Sequence, residues 1–336
     1  MLRVAINGFG RIGRHAFKVA WSKKGMQIVA INDLTAPATL AYLLKHDTAY
    51  PDVPYPVSSD DKNLIVAGRK IPVFAEKDPG LLPWKKLRVD VVIESTDKFT
   101  KQEGAELHLK AGAKKVVISA PSKGGGIVTY VRGVNDRAYA GEALLDNASC
   151  TTNCAAPVML VLEREFGIEK AMLTTVHSYT ATQALQDGPA KDLRESRAAA
   201  ENMVPTTTGA AIATARVIPS LAGKFDGLSV RVPTITVSLT DITALLKRSV
   251  TKEDVNQALR KAARSYLKNI LTTTEEELVS SDFIGNPYSA IADLKLTAVV
   301  DGNLVKVIAW YDNEWGYANR LVEMVAVAGK HKGQKK

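Results

Sequence analysis

The run VAINGFGRIGRHAF, residues 4–17, restricts its surroundings more than any other stretch of the chain. An apolar run closes at Asn7, and Gly8, Gly10 and Gly13 follow in G-x-G-x-x-G register before a new apolar period begins. In a strand–loop–helix of this kind Gly8 permits a tight turn, Gly10 lets backbone approach a pyrophosphate, and Gly13 lets helix and strand pack closely. The helix N-terminus then presents N–H donors and positive potential, with the backbone of Arg11 and Ile12 at that end. Glycines at this spacing also make plain structural turns, so context decides. Here a second strand, QIVAI, ends in IND, and Asp33 stands 20 residues beyond Gly13. A carboxylate there accepts from an adenosine ribose 2′-OH and repels a 2′-phosphate, which favours NAD over NADP; the competing reading is a turn residue closing a strand.

The first 150 residues continue as parallel β-α-β units. RVAI (3–6), QIVAI (27–31), VDVVIE (89–94) and KKVVIS (114–119) are short β-branched runs of the kind buried on both sheet faces. Thr100 and Glu103 form a candidate capping box for the helix between the last two. The second half changes texture. LSVRVPTITVSLTDITALL (228–246) alternates like one long antiparallel strand, LVKVIAW (304–310) like another, and Thr251 with Asp254 caps an amphipathic helix over 251–267. A chain of 336 residues exceeds the usual size of a single core, so two domains are expected, with a closing apolar helix at about 318–329.

The net charge of +9 invites a nucleic-acid reading, but Lys330, Lys332, Lys335 and Lys336 crowd the tail KHKGQKK, and aromatic residues are not interleaved with the rest. Nucleic acid is therefore not an expected partner; a basic surface equally suits phosphorylated metabolites. No apolar run reaches membrane-spanning length, and the N-terminus enters a strand at once, which points to a cytoplasmic location.

The only two cysteines lie in NASCTTNC, residues 147–154. Five scattered histidines supply no zinc-type partner set, so no metal is expected. Residues four apart on a helix share a face, which is poor disulfide geometry. A reactive thiol fits better. Ser149 is a good N-cap, and Cys150 in the first helical turn would feel the dipole lower its pKa, while Cys154 reads as core. Pro157 predicts a kink. His177, closing the apolar strand MLTTVH, is the candidate base.

INGFGRIGR, ASCTTNC, TTVHSYTATQ, PTTTGAA, RVPT and WYDNEWGY occur here in the order found in phosphorylating (type I) glyceraldehyde-3-phosphate dehydrogenases, and the chain resembles that family from residue 2 to about 325. The resemblance implies an α/β chain. An N-terminal Rossmann dinucleotide-binding domain would cover 1–149, with a C-terminal helix of about 314–336 packed back on it. An α+β catalytic domain with a mostly antiparallel mixed sheet would cover 150–313. It implies NAD as cofactor, glyceraldehyde 3-phosphate and inorganic phosphate as substrates, and a homotetramer. Carried onto this sequence, Cys150 would be the nucleophile and His177 its activator. Thr180 and Arg231 would hold the substrate phosphate; Ser149, Thr151, Thr208 and Gly209 the inorganic one. Asn313 would bind the nicotinamide carboxamide with Tyr317 beside it, and Lys77 and Ser119 would lie near the adenine and nicotinamide ribose.

Two departures stand out. Asp97 replaces the glycine of the family's usual ESTG, and Glu195 stands where many bacterial members carry a phosphate-binding arginine. The DGP loop in QDGPAKD (186–192) resembles NAD-using members. Erythrose-4-phosphate dehydrogenase, a relative with the same Cys and His, is the enzymatic alternative; an RNA-binding protein using the basic tail is the alternative of another class.

Overall fold

A computed structural model describes residues 1–331. The tail residues 332–336, on which the RNA-binding alternative rests and to which the expected closing helix extends, lie outside the described residues. The chain divides into two units. Among the described residues, unit 1 comprises Met1–Tyr130, Ala138–Ala148 and 318–331; unit 2 comprises Val131–Arg137 and Ser149–Tyr317.

Unit 1 contains β1 (Leu2–Asn7), α1 (Arg11–Ser22), β2 (Met26–Asn32), α2 (Pro37–Lys45), β3 (Val57–Ser59), β4 (Asn63–Val66), β5 (Arg69–Phe74), β6 (Val91–Glu94), α3 (Gln102–Lys110), β7 (Lys115–Ile118), β8 (Val128–Thr129) and β9 (Leu144–Asp146). They form one sheet in the order β3-β4-β5-β2-β1-β6-β7-β9-β8. The run β5-β2-β1-β6-β7-β9 is parallel throughout, and β3 and β4 add antiparallel turns at one edge. Strand order reverses around β1, with β2 on one side and β6 on the other, so the loop after β1 sits at the switch point where such sheets bind ligands. All four residues of β6 are buried, as its unbroken VVIE demands. The α3 helix differs from expectation: it starts at Gln102 behind Lys101, with no side-chain cap, so Thr100 and Glu103 form no capping box.

Unit 2 begins with α4 (Cys150–Phe166), then β10 (Ile168–Ser178), β11 (Val204–Thr207), α5 (Ala210–Val217), β12 (Phe225–Val232), β13 (Ser238–Leu246), α6 (Lys252–Arg264), β14 (Leu271–Thr274), β15 (Ala290–Asp293), β16 (Ala298–Val300) and β17 (Leu304–Tyr311). The final helix, α7 (Trp315–Lys330), starts in unit 2 and continues into unit 1. The unit 2 sheet runs β11-β12-β10-β13-β17-β15-β14, with β16 on β17. Its pairings are antiparallel except β10 with β12 and β14 with β15. Residues 228–246 do not make one strand. Pro233, which lacks an N–H, and Val237 at φ +71 break the run into β12 and β13, and β12 lies parallel to β10. Alternation survives in β13, whose residues alternate buried and half-buried along its length. Thr251 and Asp254 cap α6 reciprocally. Helix α4 continues through Pro157 to Phe166.

Candidate active site

In unit 1 the glycine loop does what its spacing predicts. Gly8 has φ +89, and a Cβ there would stand 2.7 Å from the Ser95 carbonyl oxygen. A Cβ on Gly13 would stand 2.1 Å from the Gly8 oxygen. Gly10 differs, for a Cβ on it meets nothing within 4 Å. Protein packing therefore does not require Gly10, but the open space above it fits a pyrophosphate drawn close to backbone. Gly10 is also the N-cap of α1 and supplies no side-chain acceptor to the first-turn N–H groups. Half-buried Arg11 and Ile12 open that turn, and the Arg11 side chain pairs with Asp47 at 2.7 Å. Asp33 follows β2, with Oδ2 accepting from Phe9 N at 2.7 Å and Oδ1 from Thr35 N at 2.9 Å. Lys77 is exposed after β5; Ser119 follows β7, its N–H donating to the Glu94 carbonyl. These residues fit a dinucleotide.

Asp97 explains the family's glycine. Its φ is +60, a left-handed conformation that Gly enters freely and Asp tolerates at a cost. Partial burial first, and the Glu94 carboxylate second, push its pKa up against the pull of Lys123.

In unit 2 Ser149 is the N-cap of α4, its Oγ accepting from Thr152 N at 3.1 Å. Cys150 opens the helix, half-buried, while Cys154 one turn on is fully buried. Ala148, just before the cap, sits at φ +54, a left-handed conformation that directs the chain into the helix. His177 Nε2 lies 3.4 Å from Cys150 Sγ. Arg231 is the direct cross-strand partner of His177 in the parallel β10–β12 pairing, which is why residues 54 apart in sequence meet. Its Nη1 lies 2.5 Å from His177 Nδ1, and Ser178 O lies 2.7 Å from the same nitrogen. Guanidinium N–H always donates and carbonyl oxygen always accepts, so Nδ1 serves one of them at a time. The buried Nε of Arg231 has no partner, an orphaned donor that fits an anion.

Electrostatics here depart from the dipole expectation. Burial pushes the Cys150 thiol up, opposed first by the Arg231 charge and then by hydrogen bonds from Thr151. Removal from water outweighs the helix N-terminus. Burial, then Arg231, pushes His177 down to about 3, so the imidazole is neutral at physiological pH.

Thr180 follows β10 and bonds Thr182 through Oγ1 at 2.8 Å; Thr208 Oγ1 accepts from Ala210 N at 3.2 Å, and Gly209 caps α5. Glu195 accepts from Thr206 Oγ1 at 3.1 Å, which holds its carboxylate on the strand leading to Thr208. Asn313 is buried, with Oδ1 accepting from Ser238 Oγ at 3.0 Å, and Tyr317 is buried in the first turn of α7. The Thr151 hydroxyl is turned inward: the Tyr311 OH lies 2.9 Å from it and 2.9 Å from Thr175 Oγ1. Tyr311 has no role legible in the sequence, and Ser178 reads there only as a hydroxyl beside His177. Their only signal was neighbourhood, since Tyr311 stands two residues before Asn313 and Ser178 directly follows His177.

Comparison with known proteins decides the family. Residues 149–313 match the family described as glyceraldehyde 3-phosphate dehydrogenase, C-terminal domain, and residues 2–102 match its NAD binding domain. The glyceraldehyde-3-phosphate dehydrogenase of Geobacillus stearothermophilus is 52% identical over 97% of this chain and 97% of its own length. The chain belongs to the glyceraldehyde-3-phosphate dehydrogenase family. Glyceraldehyde-3-phosphate dehydrogenase 1 of Bacillus subtilis is 51% identical over 98% of each chain, and glyceraldehyde-3-phosphate dehydrogenase B of Aspergillus oryzae 46% over 96% of this chain and 97% of its own. As a member of this family the chain is an NAD-dependent dehydrogenase with glyceraldehyde 3-phosphate and phosphate as substrates, and neither alternative reading is favoured.

Proposed function

We propose that this glyceraldehyde-3-phosphate dehydrogenase makes 1,3-bisphosphoglycerate through a thioester on Cys150. The 3.4 Å approach of His177 Nε2 to Cys150 Sγ carries this reading. A thiol held protonated by burial beside a neutral imidazole is a nucleophile with its base in place. As Sγ attacks the aldehyde carbon, its proton passes to Nε2, and the oxyanion of the hemithioacetal forms near the helix N-terminus. The oxyanion takes that proton back from Nε2 as a hydroxyl. When bound, NAD supplies the hydride acceptor. His177 then accepts the hydroxyl proton as the thioester forms, and inorganic phosphate displaces Cys150 as thiolate.

Arg231 and Thr180 would hold the substrate phosphate; Ser149, Thr151, Thr208 and Gly209 the attacking phosphate. The Thr151 hydroxyl lies 2.9 Å from the Tyr311 OH, and Thr151 also hydrogen-bonds Cys150, so it would reach phosphate beside the nucleophile. The dinucleotide would be held by Gly8, Gly10, Arg11, Ile12, Gly13, Asp33, Lys77 and Ser119, with Asn313 and Tyr317 at the nicotinamide. Domain limits at 1–149 and 150–313, with α7 returning to the first domain, complete the proposal.

The unit 2 sheet supports a homotetramer. Met172, Ile212 and Leu304 are 61%, 62% and 40% exposed around an apolar cleft of about 920 Å³ that none of the site residues line. A contiguous apolar face of that kind suits a subunit contact. No described helix is long and apolar enough to cross a membrane, and two unpaired cysteines fit a reducing cytoplasm.

NADH formation from glyceraldehyde 3-phosphate tests the reading, with and without phosphate and against erythrose 4-phosphate. Turnover that needs phosphate and prefers the triose is expected. Phosphate-independent turnover, or a preference for the tetrose, would overturn it.

A further inference from the structure

Beneath the C-terminal ends of the unit 1 strands runs a buried chain of polar side chains that the chemistry above leaves unused. Trp84 Nε1 donates to His108 Nδ1 at 2.9 Å, and His108 Nε2 lies 2.9 Å from Glu94 Oε2. Asn7 Nδ2 donates to the same oxygen at 2.5 Å, and Asn32 Nδ2 donates to Asn7 Oδ1 at 2.7 Å. Asn32 Oδ1 accepts from Glu76 N at 2.9 Å. Thr96 N and Oγ1 both reach Glu94 Oε1, at 2.8 and 2.5 Å. The Trp84, His108 and Glu94 side chains lie in the core, and Asn7 is 1% exposed.

One direction of donation satisfies each link named above, and leaves Asn7 Nδ2, 3.4 Å from His108 Nε2, as a neighbour of that nitrogen and not its partner. Indole only donates, so His108 Nδ1 must accept and Nε2 must carry the proton toward Glu94. Four donors face Glu94, so it acts as an all-accepting carboxylate. It therefore fixes the amide of Asn7, which in turn fixes that of Asn32. The residues so fixed sit where the cofactor loops leave the sheet. Asn7 ends β1 before the glycine loop, and Asn32 ends β2 before Asp33. Glu76 follows β5 beside Lys77, and Thr96 lies in the loop whose Ser95 oxygen Gly8 abuts.

We infer that Glu94 is a positioning residue for NAD: its buried carboxylate orients Asn7, Asn32 and Thr96, and through them holds four cofactor loops in one register. The inference rests on NAD binding by unit 1 and assigns Glu94 no contact with the dinucleotide. Networks of this type act cooperatively, and a partner of the wrong polarity is costlier than an absent one.

Glu94→Gln keeps the shape but places an amide N–H₂ against donors. His108→Gln can still accept from Trp84 and donate to Glu94, whereas His108→Leu can do neither. NAD binding to apoenzyme is measured by calorimetry, beside thermal stability and the rate at saturating NAD. NAD affinity should fall about tenfold or more in Glu94→Gln and His108→Leu, stay within about threefold of wild type in His108→Gln, and leave the saturated rate within about threefold in all. If Glu94→Gln does not fold, the two His108 variants decide. Stability loss without affinity loss, or equal affinity in His108→Gln and His108→Leu, overturns the inference. Absence of NAD binding by wild type would overturn the cofactor reading along with it.

Discussion

Nη1 of Arg231 lies 2.5 Å from Nδ1 of His177, set there by the register of two parallel strands. The same guanidinium is the leading influence that lowers the Cys150 pKa, and it also lowers that of His177. Arg231→Leu should therefore raise both. Alkylation of Cys150 by uncharged iodoacetamide at pH 8 should slow severalfold, with its pH profile moved to the alkaline side. The KM for glyceraldehyde 3-phosphate should rise about 10- to 100-fold, the loss of one or two charge-assisted hydrogen bonds.

Acid stability follows from His177 with a definite sign. Its folded pKa of about 3 lies below the ordinary 6.5, so as pH falls from 6.5 toward 3 the unfolded chain takes up a proton that the folded one refuses. Stability is retained above that window and lost through it. In His177→Gln the urea midpoint should decline less steeply between pH 6.5 and 4 than in wild type; equal slopes would contradict the shift.

Asp97→Gly should relieve the left-handed backbone at φ +60, with a gain in unfolding free energy of about 1 kcal/mol. Removing a carboxylate beside the dinucleotide loop should also tighten NAD binding, measurable by calorimetry. Asp97→Val should lose stability by a similar amount.

Asp33→Asn keeps an acceptor for Phe9 N but loses the charge. The preference for NAD over NADP, as a ratio of kcat/KM values, should fall about tenfold or more. An unchanged ratio would remove Asp33 from cofactor selection.

Much of this molecule was legible in the sequence. The glycine loop, the βαβ runs and the Ser149 cap depend on local chemistry, which a short window contains. The meeting of Cys150, His177 and Arg231 depends on strand register; residue types alone suggested the Cys150–His177 pair, and only the family resemblance added Arg231 to it. Residues 228–246 misled because β13 keeps its two-residue period, while the turn around Pro233 and Val237 interrupts without erasing it. Thr100 and Glu103 had the right spacing for a cap, but the helix begins one residue too late for it. The Cys150 thiol departs from the dipole expectation because its burial, which raises the pKa, is not visible in a helix start. The chain centred on Glu94 was invisible because its members come from separate strands, loops and helix α3.

A single-turnover reaction without phosphate tests the central claim most directly. Enzyme loaded with NAD and glyceraldehyde 3-phosphate should release one NADH per active site and hold a 3-phosphoglyceroyl group on Cys150, found by mass spectrometry. Phosphate should then discharge it. Cys154→Ala should behave as wild type, and Cys150→Ala should give neither burst nor adduct. A full NADH burst from Cys150→Ala would contradict the account.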